Sequence, residues 1–257
     1  VLSPIWLEIP DTARRILQRI GAVLDFAHIK GWLPGEVSLR SVRKGLPRQV
    51  DKGGHLEAMP YADVPTLMQK LAAASPTTGR DALRFTIYNA VRSNETRFAV
   101  WTEFDLEKAI WTIPGERMKA GETHVVPLSA PAVALLRKRW NERTSNTGLV
   151  FSNDGDKPIS DMTMTKLLRD DGIKGVTVHG FRSAFTDWSS ERTRFPKEVA
   201  DKALAHKLPN KVEAAYRRTD FFEKRRNLMA RWAEYLDRKG KDAAATASEP
   251  IPLRAAA

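Results

Sequence analysis

The chain has no cysteine, which excludes disulfides and thiolate metal sites. Histidine is scarce: His28, His55, His124, His179 and His206 are the five, and none forms an H-E-x-x-H or similar ligand spacing, so no metal site is expected. Neither a G-x-x-x-x-G-K-[ST] loop nor a G-x-G-x-x-G turn is present, which argues against nucleotide hydrolysis or a dinucleotide. The chemistry is therefore expected to need no cofactor and no ATP. No run reaches the roughly 18 to 20 apolar residues of a membrane span. The start lacks the basic-then-apolar pattern of a signal peptide, so a soluble intracellular protein with no membrane partner is expected. Tyrosine is rare as well, limited to Tyr61, Tyr88, Tyr216 and Tyr235.

What is abundant is positive charge. Lys and Arg total 42 against 31 Asp and Glu, a formal charge of +11, so a polyanion is the natural partner. Charge alone does not choose among DNA, RNA and an anionic membrane surface. With 42% hydrophobic and 28% charged residues the composition is globular, and 257 residues suffice for one sizeable domain plus a smaller one.

The chain opens on Val1 and reads as lacking an N-terminal part. A helix capped by Asp11 or Thr12 is expected, with Ala13, Ile16, Ile20, Leu24 and Ala27 on one face and Gly31 and Pro34 as its stop. From about Arg43 to Pro60 the sequence turns basic and glycine-bearing, with Arg43, Lys44, Arg48 and Lys52, and reads as a linker able to follow a phosphate backbone. Helical periodicity then covers 64–74, 81–90, 130–143, 161–170, 179–191, 196–205 and 212–236, while 101–105, 110–113 and 123–128 read as three short strands. The expected fold is mainly α (α+β). A partial helical domain (1–45) and a basic linker (46–58) precede a helical domain with a small three-stranded antiparallel sheet (59–239), and a low-complexity tail (240–257) follows.

Taken singly, the polar residues of 59–239 are unremarkable in kind. Arg92 follows an apolar helix, Lys119 sits at a hairpin tip with Lys108 and Arg117 as rivals, and His179 and Arg182 share a face at a helix start, where backbone amides favour an anion. Tyr61 lies by the linker, Tyr88 in an apolar helix, and Tyr235 packs with Leu228, Met229 and Trp232. Tyr216 is flanked by Ala214-Ala215 and Arg217-Arg218, small on one side and basic on the other.

In order, however, Ala90-Val91-Arg92-Ser93-x-Glu95, Met118-Lys119 before Val126-Pro127-Leu128-Ser129, His179-Gly180-Phe181-Arg182, Ala205-His206 and Ala215-Tyr216-Arg217-Arg218 resemble the boxes of the tyrosine recombinases, in particular the integrases of phages and genomic islands. The resemblance covers about 59–236 and, more weakly, 4–39 as the end of a core-binding domain. It implies that Arg92 and Arg182 grip the scissile phosphate, Glu95 orients the site, His179 assists deprotonation of the nucleophile and His206 hydrogen-bonds the phosphate. Lys119 would protonate the leaving 5′ oxygen, and Tyr216 would attack to form a 3′-phosphotyrosyl bond. It also implies double-stranded DNA attachment sites as partners, a homotetramer on DNA, an excisionase or host DNA-bending protein as helper, and a bacterial cytoplasmic, nucleoid-associated location. Arg43, Lys44, Arg48, Lys52 and Arg117 are expected to contact DNA.

The rival readings are a type IB topoisomerase, which reseals the same strand; a metal-dependent transposase or nuclease using carboxylates such as Asp105, Asp161 and Glu191; and a truncated, inactive DNA-binding remnant.

Overall fold

A computed structural model of the chain describes residues 2–49, 58–143, 148–154, 156–206 and 219–238. The chain divides into two compact units, Val1–Gly54 and His55–Ala257.

In the first unit, prolines set the helix starts: Pro4 stands in the first turn of α1 (Ser3–Trp6) and Pro10 in that of α2 (Pro10–Ile29), where a missing N–H costs nothing. The expected cap from Asp11 or Thr12 does not form. Ile9 occupies the cap without a side-chain bond, and Asp11 instead pairs with Arg14. Ala13 and Leu17 are the buried residues of α2, with Ile16 and Ile20 packed beside them, so the inner stripe runs one residue off the expected face. Gly31, at φ +72°, follows the helix end. Part of the segment that composition marks as linker is ordered against this core. Arg40–Gly45 forms α3, Trp6 Nε1 donates to the Pro47 carbonyl (2.7 Å), and Gln49 Nε2 donates to the Trp6 carbonyl (2.6 Å). Leu39 and Leu46 pack on the buried cluster of Leu2, Trp6, Ala13 and Leu17, a pairing between distant positions that no local periodicity announces.

The second unit is built around α5 (Thr78–Asn89), preceded by α4 (Val64–Ala73). The helix α5 starts three residues before the apolar pattern does, because the Thr77 hydroxyl accepts the Arg80 N–H at 3.2 Å and closes its first turn. Its inner face, Ala82, Leu83, Phe85, Ile87 and Tyr88, is buried among α7 (Ala130–Glu142), α8 (Thr163–Asp170), α9 (Gly180–Arg192) and the C-terminal helix Phe222–Leu236. Between α9 and that last helix lies α10 (Lys197–Ala203). The short helix α6 is Ser93–Arg97, and the C-terminal helix is α11 below.

The sheet is antiparallel in the order β1 (Phe104–Asp105), β2 (Ile110–Ile113), β3 (His124–Pro127), with Ile110 opposite Pro127 and Ile113 opposite His124. Strand β1 is shorter than expected: Trp101–Glu103 is a 3-10 turn rather than strand. Its end residue explains this, since the Glu103 carboxylate is drawn back to accept from Trp111 Nε1 (2.9 Å) and from the Arg117 guanidinium.

The single long helix expected over 212–236 is interrupted. Thr219–Phe221 is not helical, Phe221 sits at φ +55°, and α11 begins only at Phe222; positions 212–218 lie outside the described residues. Asp220 makes the break, its carboxylate accepting the Phe222 N–H at 3.0 Å in a local turn.

Trp111, Trp188 and Trp232 anchor the core. Trp188 and Trp232 lie 4.9 Å apart between ring centroids, both fully buried, but Trp232 Nε1 donates to the Ile87 carbonyl (2.9 Å) whereas Trp188 Nε1 has no partner among the described residues. Replacing either by Phe removes similar volume, so the difference isolates one buried hydrogen bond. Trp232→Phe is expected to cost about 1 kcal/mol more than Trp188→Phe. Urea unfolding of both variants measures it, and equal losses would show that the Ile87 contact contributes nothing.

Candidate active site

Local backbone reversals assemble the site. The helix α5 ends because Ala90 adopts the left-handed conformation (φ 48°, ψ 32°), which sends Val91 into the core and leaves Arg92 extended as the residue capping α6. Glu95, three positions on and buried, accepts twice from Arg92: the backbone N–H reaches Oε2 at 2.7 Å and Nη1 reaches Oε1 at 2.7 Å. This is the acidic half of a capping box. It satisfies the first amide of α6 and fixes the Arg92 guanidinium at the same time.

Arg182, in the first turn of α9, is 4% exposed. Its Nη1 donates to the Ala90 carbonyl (2.6 Å) and its Nη2 to the Leu204 carbonyl (2.7 Å), so one side chain joins the ends of α5 and α10. Burial, reinforced by the Arg92 charge and opposed by Glu95, lowers its pKa to about 10, which leaves it cationic at neutral pH. His179 stands exposed at the N-cap position of α9, without a side-chain cap bond. Partial desolvation first, then the charges of Arg182 and Arg92, hold its pKa below the ordinary value, so its ring is neutral and able to accept a proton at pH 7.

Past α10, Ala205 is a second left-handed alanine (φ 49°) and turns the chain so that His206 folds back on Asp201. The His206 backbone N–H donates to the Asp201 carbonyl (2.9 Å), and His206 Nδ1 lies 3.3 Å from Asp201 Oδ1. Lys119 is exposed on the connection between β2 and β3. That connection is pinned by buried Met118 and by a backbone approach so close that a Cβ on Gly115 would meet the Gly121 carbonyl oxygen at 2.6 Å. Arg92, Lys119, Ala120, Lys197, Asp201, Ala205 and His206 line one open cleft of about 560 Å³.

Of the expected site residues, Arg92, Glu95, Lys119, His179, Arg182 and His206 thus come together, and Tyr216 lies outside the described residues. Arg117 does not project outward as a DNA contact. Its Nη2 donates to the Glu95 carbonyl (2.6 Å) and its Nη1 to Glu103, so it braces the Lys119 connection against α6. Arg43, Lys44 and Arg48 are exposed in the first unit. Arg43 and Arg48 share a groove of about 760 Å³ with Arg14 and Arg40, and Lys52 lies outside the described residues. Among the described residues no group of three or more His, Asp or Glu could hold a metal ion, and no helix is long and apolar enough to cross a membrane.

Three residues around the site escape a reading of motifs. The carboxylate of Asp201 faces the cleft. Arg225, 2% exposed, donates from Nη1 to the Val125 carbonyl (2.6 Å) and from Nε to the Asp220 carbonyl (2.8 Å), clamping the start of α11 to β3. His124, on β3, places Nε2 3.3 Å from the Ala203 carbonyl. None of the three carries a local signal, since Asp201 meets His206 at an i,i+5 spacing that no regular helix brings together.

The helical bundle with its small sheet is the fold of tyrosine recombinase catalytic domains. The lambda integrase (75–356) dimer bound to a COC' core site superposes with a TM-score of 0.56 at 17% identity, over 77% of this chain and 72% of that one. A lambda integrase tetramer bound to a Holliday junction gives 0.57 at 16% identity, over 78% and 60%. The sequence matches the phage integrase family over residues 57–223, and the chain belongs to that family. It is 32% identical over 232 residues to the prophage integrase IntZ of Escherichia coli K12, covering 89% of this chain and 56% of that protein. To the integrase of enterobacteria phage P4 it is 32% identical over 246 residues, covering 88% and 55%. The chain therefore spans about half the length of these curated relatives.

His124 sets a pH dependence. Burial first, then the charge of Arg225, lowers its pKa to about 4 from 6.5. Below pH 6.5 the unfolded chain takes up a proton that the folded chain refuses, so stability is complete above that value and declines as pH falls toward 4. The loss is up to about 3 kcal/mol. His124→Gln is expected to reduce the difference in unfolding free energy between pH 7 and pH 5. A variant that keeps the full wild-type difference would remove His124 from this role.

Proposed function

We propose that the chain carries the strand-cleaving and rejoining chemistry of a site-specific DNA recombinase, an integrase acting at double-stranded attachment sites to insert or excise a phage or other mobile element. The observation that carries this reading is the meeting, in and behind one cleft, of Arg92 locked by Glu95, buried Arg182, neutral His179, His206 and Lys119.

Two guanidiniums at fixed positions suit the non-bridging oxygens of a phosphodiester and the extra charge of its phosphorane. Tyr216 attacks phosphorus through its phenolic oxygen while His179 takes the phenol proton. The bond from phosphorus to the 5′ oxygen breaks, and Lys119 supplies the proton that oxygen needs. A 3′-phosphotyrosyl ester and a free 5′ hydroxyl result. A 5′ hydroxyl from a partner strand then runs the same step backwards, so one ester replaces another and no nucleotide is consumed.

The environments of the other tyrosines support Tyr216. Tyr61 donates its O–H to Glu191 (2.7 Å) and Tyr88 to Asp237 (2.5 Å), and Tyr235 is buried; hydrogen bonding to a carboxylate or burial raises all three pKa values and holds the phenols protonated. Assembly as a tetramer on DNA, the state of lambda integrase on a Holliday junction, and assistance by an excisionase or DNA-bending protein in the bacterial nucleoid belong to the same reading.

On suicide substrates Tyr216→Phe is expected to abolish a protease-sensitive, DNA-linked band that Phe at Tyr61, Tyr88 or Tyr235 leaves detectable. A persistent adduct would refute the nucleophile. Capture of a second duplex separates recombination from resealing of the same strand.

Lys119 is tested by replacing the leaving 5′ oxygen with sulfur. A thiol has a pKa near 8.5, so its anion departs unprotonated at a pH where an alkoxide, closer to water at about 15.7, does not. Lys119→Ala is expected to cleave ordinary DNA slowly and the sulfur-bridged strand almost normally, whereas Arg92→Ala gains little. Equal Lys119→Ala defects on both substrates would place the acid elsewhere, with Lys108 next, since Arg117 is occupied by Glu103 and Glu95.

A further inference from the structure

We propose that Asp201 is a positioning residue for this reaction, holding the Nδ1–H of His206 so that the ring works as an imidazolium and presents its Nε2–H to the scissile phosphate. The inference rests on the recombinase reading above and adds to it a residue that the motif pattern does not contain.

The geometry is specific. Asp201 receives His206 twice, through the backbone N–H at 2.9 Å and through ring Nδ1 at 3.3 Å, and left-handed Ala205 makes both contacts possible at once. The second carboxylate oxygen accepts from Lys197 Nζ at 2.5 Å. An exposed lysine and aspartate one helical turn apart form an ordinary surface pair. Such a pair does not require a histidine bound through both backbone and ring.

The chemistry needs the carboxylate. With Nδ1–H given to Asp201, a neutral His206 turns the Nε2 lone pair toward an anionic phosphate, which repels it. Only the doubly protonated ring donates. The groups around it oppose that form: Arg92 before α6, Arg182 and His179 from α9, Lys119 from the β2–β3 connection and Lys197 from α10 are cationic or neutral, and Asp201 is the one carboxylate among the residues lining the cleft. Burial likewise pushes the His206 pKa down, while its bond to Asp201 pushes it up. Asp201 therefore keeps the imidazolium within reach until a phosphate adds its own negative charge.

Two measurements decide this. Titration of the His206 ring by NMR in the whole chain is expected to show a lower midpoint in Asp201→Asn and restoration in Asp201→Glu. Lys197→Ala, at an exposed site, frees the carboxylate and is expected to raise the midpoint. In adduct formation on a suicide duplex, Asp201→Asn is expected to move the alkaline limb of the pH–rate profile to lower pH. Its deficit should grow roughly tenfold per pH unit between the two midpoints, as an imidazolium fraction does. A deficit equal at every pH, or a His206 midpoint unmoved in Asp201→Asn, overturns the proposal. Should Asp201→Asn not fold, an unmoved midpoint in Lys197→Ala overturns it instead. Absence of any Tyr216-dependent adduct from the wild-type chain would defeat the recombinase reading alone, because the titration decides the Asp201–His206 pairing without catalysis.

Discussion

A single buried guanidinium organises the second unit. Removing Arg182 from water is costly, and the cost is offset only because its donors reach the Ala90 and Leu204 carbonyls while the buried Glu95 carboxylate supplies opposite charge nearby. Those carbonyls stand at the ends of α5 and α10, just where left-handed alanines reverse the chain toward Arg92 and His206. Left-handed backbone disfavours alanine by roughly 1 to 2 kcal/mol. The two hydrogen bonds therefore act where the backbone is least favourable, and the residue that holds the fold is also one that the proposed recombinase reading assigns to the phosphate.

This coupling bears on how substitutions at Arg182 are read. Alanine there removes a charge from the cleft and also unties two helix ends, leaving two buried carbonyls short of a donor, a structural penalty of about 1 to 3 kcal/mol for each. Arg92 is different in kind. It is partly exposed and, among the described residues, bonds only to Glu95 and its own turn, so its loss is the cleaner test of the proposed phosphate contact. Similar side chains in one box thus carry different proportions of folding and chemistry.

Much of this was legible in the sequence where it depended on local order. The helices α4, α7, α8 and α9, strand β2 and the three-stranded sheet follow from periodicity. That Arg92, Glu95, Lys119, His179, Arg182 and His206 come together was expected from the resemblance of their ordered boxes to a known family. What was not legible involved distant pairings. Trp6 captures Pro47 and so orders residues taken for linker, Glu103 turns back to Trp111 and Arg117 and so shortens β1, and Arg225 reaches Val125 across a hundred positions. Arg117 shows the limit most plainly, since a basic residue beside Lys119 in a basic chain gives no local sign that two acceptors in the folded core will claim it.

The two histidines of the site show how environment divides labour between identical side chains. Burial and the same arginines lower both pKa values. The main groups acting on His179 are Arg182, Arg92, His206 and Lys119, which with burial favour its neutral, proton-accepting form, the form the proposed base calls for. His206 has Asp201 on Nδ1, which opposes that lowering and favours the charged, donating form that the proposed phosphate contact calls for. Where two titratable groups share a cluster of cations, one carboxylate offsets part of the downward shift at the ring it touches and leaves the other ring without that offset. Here the position of that carboxylate is fixed by a five-residue return of the chain from Asp201 to His206 around left-handed Ala205.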